Sequence, residues 1–504
     1  MKYKVIALVV AVVVVAAAGA ATLVDRTPTM RYVAQHEDTS VPRADAHQGL
    51  SIDPETFSSH LPVIAIDTHG QEIPGDVLYV DGKPIIREDG RTVLTTTPEG
   101  ATDAQVDVRV YDAQDGSPNT LDGTPALESK ALIHYRGHRS REFAKRNYSL
   151  HLIDDEGMPR DEKVAGMASE NAWVLNGPYL DKSLIRNYMA YTLGQHLHVL
   201  APDVRFCELF VDGEYRGLFL IMESVKEASN RVNLSEPTGK GDATSYLLKM
   251  DRPDLDALEI EDLGVITESK RSAISILHPT AEDITPGQVE WITQDMSFIE
   301  KSLYSYDYDT ADYGYWNTLD VDSFVDYFLF NEFTMNYDAG SYSTYLYKDL
   351  RGKLTIGPYW DFNSAFDNYV DTSYASCEGF AMVERYWFYM LTKDEKFTDA
   401  VIERYRELRQ GLLSDENLQA YVDDTVAFLG DAVDRNWEVW GYTFDPDAVR
   451  SGGKLDPDER NPRDYEEALD QLRDFIERRG AWLDAHIEDL RQFSHESAVK
   501  MQNH

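Results

Sequence analysis

The chain has 504 residues, 43% of them hydrophobic, and carries 88 Asp and Glu against 48 Lys and Arg, a formal charge of −40. That length and apolar content are enough for a sizeable core and a two-lobed domain with appendages, and they argue against disorder through the middle. The charge repels nucleic acid and anionic lipid and attracts cations or a basic partner, so nucleic-acid binding is disfavoured.

Met1-Lys-Tyr-Lys4 precede an uncharged run from Val5 to Val24, which Asp25-Arg26 close. The run is long enough to cross a bilayer with its lysines on the cytoplasmic side, leaving the rest of the chain outside. Ala18-Gly-Ala20 also offers a cleavage site, so residues 1–26 are a transmembrane anchor or a signal peptide. Residues 27–58, polar with Pro42 and Pro54, read as a linker. A domain over 59–500 follows. Its first half, about 59–280, shows strand signals at 62–66, 77–80, 106–111, 131–135, 148–153 and 173–176. A helix capped by Asp181 comes next, then an Asp212-Gly213 hairpin with strands at 206–211 and 215–223, then strands at 246–250 and 275–277. The second half, about 281–495, turns helical at 289–303, 319–335, 387–391, 397–409, 417–439 and 465–490. The pattern is α+β, a β-rich N-terminal half and a helical C-terminal half behind an N-terminal membrane segment, with a cleft expected at the junction. Cys207 and Cys377 are the only cysteines, which leaves one bridge or two separate thiols open.

At that junction the chain reads as a loop aspartate, Asp338, a short hairpin over 344–359, and a second loop aspartate, Asp361, in Trp360-Asp-Phe-Asn363. A hairpin returns antiparallel, so the residue before its first strand and the residue after its second lie at one end of the ladder. Two close carboxylates, one to accept a proton and one to hold a divalent metal, are what phosphoryl transfer from a nucleotide requires. The ordinary alternative is a surface hairpin between two turn aspartates. Val321, Phe324, Val325, Phe328, Leu329 and Phe333 form one apolar helix face leading into the Asp338 loop, with Glu332 beside it, expected at the rim and otherwise in need of a cationic partner.

Several segments in order, Leu61 to Ile66, Tyr135-Arg-Gly-His-Arg-Ser-Arg141 through Lys145 to Tyr148, Trp173 to Asn187, Glu208 to Glu223, and Asp338 to Phe366, resemble the spore coat protein H (CotH) kinase-like family over roughly 61–436. The resemblance implies a reduced, two-lobed protein-kinase-like fold that uses ATP with Mg²⁺ or Mn²⁺. It assigns Asp338 as the catalytic aspartate and Asp361 as the metal ligand. It aligns Lys145 with a family lysine able to reach the phosphates, with Arg136 and Arg141 assisting. The alternatives are a solvated strand-edge lysine and an Arg136-Gly137 turn whose arginine braces an acidic neighbour. Glu223 is the candidate partner of Lys145, or a solvated strand end. The pattern departs in three places. Ser343 stands where kinases have a second metal-binding Asn, Asn363 where many relatives carry Asp, and no G-x-G-x-x-G loop precedes Lys145.

Three functions therefore compete. The first is a kinase-like enzyme outside the cytoplasm, membrane-anchored or secreted, that phosphorylates Ser/Thr or another hydroxyl on a protein or surface polymer, an acceptor which the net charge suggests is basic. The second is a catalytically inactive binding protein of the surface or coat, supported by Ser343 and the missing glycine loop. The third is a carbohydrate-active enzyme, which would need one carboxyl group with a raised pKa where a metal site needs its ligands ionised.

Overall fold

The computed structural model describes residues 30–497 and 499, apart from 82, 88–91, 238–240, 254–256 and 261–271. The expected membrane segment at 1–26 lies outside these, and no helix among the described residues is long and apolar enough to cross a membrane.

The fold is mixed α+β, β-rich first and helical second. The β-rich half closes on itself. Strands β1 (Val63–Asp67), β4 (Ala104–Tyr111), β5 (Leu127–Arg136), β6 (Asn147–Ile153), β7 (Ala172–Asn176), β9 (Glu214–Glu223) and β8 (Val204–Val211) form a closed barrel in that order, and a small hairpin, β2 (Tyr79–Val80) and β3 (Lys83–Pro84), stands beside it. All barrel pairs are antiparallel except β1 with β8, the parallel contact that completes the ring. Side chains alternate across the wall. Val106, Val108, Ile133, Leu150, Leu175, Leu209 and Ile221 fill the interior. On β8 and β9 the outward residues Val204, Phe206, Leu218, Leu220 and Met222 are buried too, in the main core. That wall therefore serves two cores, and β8 and β9 read as nearly continuous apolar runs.

Against this wall packs helix α1 (Arg186–Gly194), buried along its whole length. Its start differs from the expectation. Asp181 lies outside the helix but still accepts the Arg186 backbone N–H at 2.9 Å and pairs with the Arg186 guanidinium. A second sheet, in the order β11 (Ala273–His278), β10 (Tyr246–Asp251), β12 (Thr344–Lys348), β13 (Thr355–Ile356), lies among the helices. The helices are α2 (Pro286–Tyr304), α3 (Val321–Phe333), α4 (Tyr386–Leu391), α5 (Glu395–Arg409), α6 (Asp415–Leu429), α7 (Asp431–Trp440) and α8 (Tyr465–His486).

Three expectations are corrected here, and the open question of the cysteines is settled. The helix expected over 417–439 is broken into α6 and α7 at Gly430, whose φ is +49° and where an added Cβ would stand 2.5 Å from the Ala46 carbonyl oxygen. The intruding segment is the expected linker, which packs on the domain over its described part. Gln35 exchanges two hydrogen bonds with the Phe206 backbone, Tyr32 and Phe57 are buried, and the Gly49 carbonyl accepts from Arg435 inside the fully buried Arg435–Glu208 pair. Glu332 is not at the rim. It is 0% exposed, pairs with Arg479 at 2.6 Å and accepts the Ala381 and Met382 N–H groups. Cys207 and Cys377 are buried, separate thiols.

Candidate functional site

Helix α3, buried by its apolar face, ends at Phe333, and the chain turns through Asn336 into the Asp338 loop. There the Asp338 carbonyl accepts from the N–H of Tyr342 at 2.7 Å, and Gly340 N–H donates to Thr344 Oγ1, which ties the loop to the first residue of β12. Strands β12 and β13 pair in antiparallel register, Leu346 with Ile356, so the hairpin returns to the same end. Asp361 follows with φ of +64°, a conformation that costs about 1 kcal/mol or more for a residue with a Cβ. Helix α1 holds it there. The Asp361 N–H donates to Tyr191 Oη at 3.0 Å, the Phe362 N–H donates to Asn187 Oδ1 at 2.8 Å, and Asn187 Nδ2 donates to Asn363 Oδ1 at 3.3 Å.

The two carboxylates feel one another. Burial pushes Asp361 up to about 6, and the charges of Asp338 and Asp251 push the same way against Arg136 and Lys249. Burial also raises Asp338, opposed by Arg252, by the Tyr369 hydroxyl that donates to Asp338 Oδ1 at 3.3 Å, and by Arg385. Both carboxyls are thus raised, whereas a glycosidase pair calls for contrasting environments. Like charges that raise one another's pKa are an arrangement a divalent ion would relieve.

Strand β10 brings a third carboxylate. Asp251 is ion-paired with Lys249 at 2.7 Å and with Arg252 at 3.6 Å. Because Met250 lies opposite Thr344, the next positions, Asp251 and Ser343, are neighbours. Lys249, Asp251 and Arg252 did not emerge from the sequence, although Leu248-Lys-Met-Asp251 alternates apolar and charged residues, the period-two pattern of a strand with one polar face. Tyr191, Tyr369 and Arg385 carried no sequence signal; Asn187 was only the last residue of a matching segment.

Of the residues singled out from sequence, the structure gathers Asp338, Asp361, Asn363, Ser343 and Arg136. Arg136 ends β5 and stacks on Trp360 at 5.3 Å, facing Asp361 rather than acting only as a turn brace. Ser343 has φ of +48°. Arg141 Nε donates to the Tyr135 carbonyl. The expected Lys145–Glu223 pair is absent. Lys145 is buried, its amine donating to the Leu218 carbonyl and to Asn436 Oδ1, both at 2.7 Å, and burial holds it well below the ordinary lysine range. Lys145 is therefore not a solvated strand-edge residue either. Glu223 pairs instead with Arg31 and Arg231. Among the described residues no group of three or more His, Cys, Asp or Glu side chains is placed to hold a metal ion. A divalent ion here would rely on Asp361, one or two further oxygens and the ligand's own phosphates, the usual pattern for Mg²⁺.

The family model for CotH kinase protein matches residues 133–483 of this chain. The chain belongs to the CotH kinase protein family. The match begins within β5 and ends within α8, so it contains every residue of the site, while β1 and β4, which close the barrel, lie before it. Inner spore coat protein H of Bacillus subtilis (strain 168) is 28% identical over 95 residues, 19% of this chain and 24% of that protein. The likeness therefore spans about a quarter of that relative's length.

Proposed function

We propose that this CotH-family chain transfers the γ-phosphoryl group of ATP to a Ser, Thr or other hydroxyl of a coat or surface component outside the cytoplasm. One observation carries the reading: two half-buried carboxylates, Asp338 and Asp361, interact at one end of a hairpin with Arg136 and Lys249 beside Asp361. Family membership supports the kinase-like chemistry, and the likeness to an inner spore coat protein supports the coat.

In this reading the acceptor oxygen bonds to the γ-phosphorus as the bond from that phosphorus to the β–γ bridging oxygen breaks. ADP leaves and the hydroxyl proton passes to Asp338. Tyr369 orients that carboxylate, and its raised pKa makes it a stronger proton acceptor than an ordinary aspartate. Asp361, with Ser343 and Asn363 as candidate further oxygens, would hold Mg²⁺ or Mn²⁺, which neutralises phosphate charge when bound. Arg136 and Lys249 act on the phosphates as fixed positive charges, in place of a glycine loop.

The test incubates the full-length chain, in detergent micelles, with γ-labelled ATP, Mg²⁺ or Mn²⁺ and a mixture of Ser/Thr peptides. Metal-dependent label on hydroxyls that disappears in Asp338→Ala is expected, and equal labelling by that variant would contradict the reading. Ser343, standing where kinases have a metal-binding Asn, favours a second reading, a binding protein without turnover. It predicts nucleotide binding with no label transfer at all.

A further inference from the structure

Two arginines near the Asp338–Tyr369 pair, Arg385 by the carboxylate and Arg139 by the tyrosine, form no ion pair among the described residues. Arg385, which precedes α4, packs on the Asp338 loop: a Cβ added at Gly340 would stand 3.1 Å from the Arg385 Cβ. Its Nε is buried and makes no hydrogen bond. Arg139 follows the Gly137 turn after β5, is exposed, and acts electrostatically on Tyr369, the residue bonded to Asp338. Among the described residues neither guanidinium makes an ion pair or a side-chain hydrogen bond. In a chain with 88 acidic and 48 basic residues, carboxylate partners are abundant. Asp371 acts on Arg139 electrostatically without forming an ion pair with it, so two guanidiniums at one mouth without a bonded carboxylate mark a place for an anion from outside the chain.

The same mouth carries a tyrosine wall. Tyr337, Tyr369 and Tyr374 pack edge-on or tilted against one another with ring centroids 4.8–6.2 Å apart, and Tyr374 is 38% exposed. Arg252 lies over Tyr342 at 4.2 Å on the other side of the loop. This is the Asp338 side, where an acceptor hydroxyl must arrive. Arg136 and Lys249 belong to the Asp361 side.

We propose that the acceptor is a polypeptide whose reacting hydroxyl is flanked by an anionic side chain, a carboxylate or a phosphate, held by Arg385 and Arg139 while the peptide lies along Tyr337, Tyr369 and Tyr374. The proposal rests on the phosphoryl-transfer reading. It reverses the expectation from net charge, which favoured a basic partner. Long-range fields are screened within about 8 Å at physiological salt, so the −40 charge acts on approach while the groups at the mouth select.

The test measures fluorescence anisotropy of three Ser peptides, identical except for flanking Asp, phosphoserine or Lys, on the full-length chain in detergent micelles. The tighter of the two anionic peptides should bind at least about tenfold better than the Lys peptide, and which one it is identifies the source of the anion. Arg385→Gln and Arg139→Gln should each weaken it about fivefold while leaving the Lys peptide unchanged. If Arg385→Gln fails to fold, the exposed Arg139→Gln decides. Equal or tighter binding of the Lys peptide, or full affinity in Arg139→Gln, overturns the proposal. Thermal stabilisation by Mg²⁺-ATP, read on the same samples, keeps the two readings apart. Stabilisation without anionic preference sinks only the acceptor proposal, whereas arginine-dependent binding of the anionic peptide without stabilisation sinks the phosphoryl-transfer reading.

Discussion

Replacing Asp361 by Asn should make the protein more stable at neutral pH. Within the fold its carboxyl is pushed up to about 6 from an ordinary 3.8, with burial first among the causes. A group raised in this way binds more protons folded than unfolded across that window, so stability falls as pH rises from about 4 to about 6 and stays lower above it. Two pKa units at about 1.36 kcal/mol each set a ceiling of about 3 kcal/mol. Asn keeps the shape, removes the charge and tolerates the φ of +64°. For a chain of 504 residues the entropy of unfolding is on the order of 1 kcal/mol per degree, so Asp361→Asn should raise Tm by about 2–3 °C at pH 7 without added metal. The gain should shrink steeply by pH 4 and vanish near pH 3, below the ordinary 3.8, where the carboxyl is protonated in both states. Thermal unfolding of both proteins across that pH range checks it. A variant less stable than wild type at pH 7, or a gain of equal size at pH 7 and near pH 3, would refute the reasoning that links burial, like charge and function at this site.

Tyr191→Phe removes the acceptor for the Asp361 N–H and should cost about 1–2 kcal/mol, seen as a lower denaturation midpoint, with faster hydrogen exchange confined to residues 360–364. Glu332→Gln leaves the buried Arg479 without a counter-charge and should cost about 3–5 kcal/mol by urea unfolding, far more than a rim carboxylate would. Gln35→Ala strands the buried N–H and C=O of Phe206 and should cost about 2–3 kcal/mol, whereas a residue in a free linker would cost nothing measurable by the same assay.

The hairpin argument brought Asp338 and Asp361 together from sequence because antiparallel pairing is a local rule, and a helix face as apolar as Phe324 to Phe333 leaves little doubt about where the chain enters the loop. Strands were legible for the same reason. Closure of the barrel was not, since it depends on β1 meeting β8 across more than a hundred residues, and periodicity carries no information about such partners. The break at Gly430 fell inside a continuous helical pattern over 417–439 and depends on Ala46, which packs beside it from far away in the chain. Lys145 and Glu223 were paired by analogy, yet each finds other partners, the lysine in Leu218 and Asn436 and the glutamate in Arg31 and Arg231. Asp251 and Lys249 reach the site only through the pairing of β10 with β12, a contact between segments far apart in the chain. Arg31 and Gln35 belong to a stretch whose polar composition reads as linker and whose burial depends on surfaces built elsewhere.

The most direct test of the site is thermal stabilisation of the full-length chain, in detergent micelles, by ATP with Mg²⁺ or Mn²⁺, compared with Asp361→Ala. Ligand at a hundred times its Kd stabilises the native state by about 2.7 kcal/mol. The account predicts a metal-dependent rise in Tm for the wild type and none for Asp361→Ala. A well-folded wild-type protein that shows no rise with any nucleotide and metal, or a variant that shows the same rise, would contradict it.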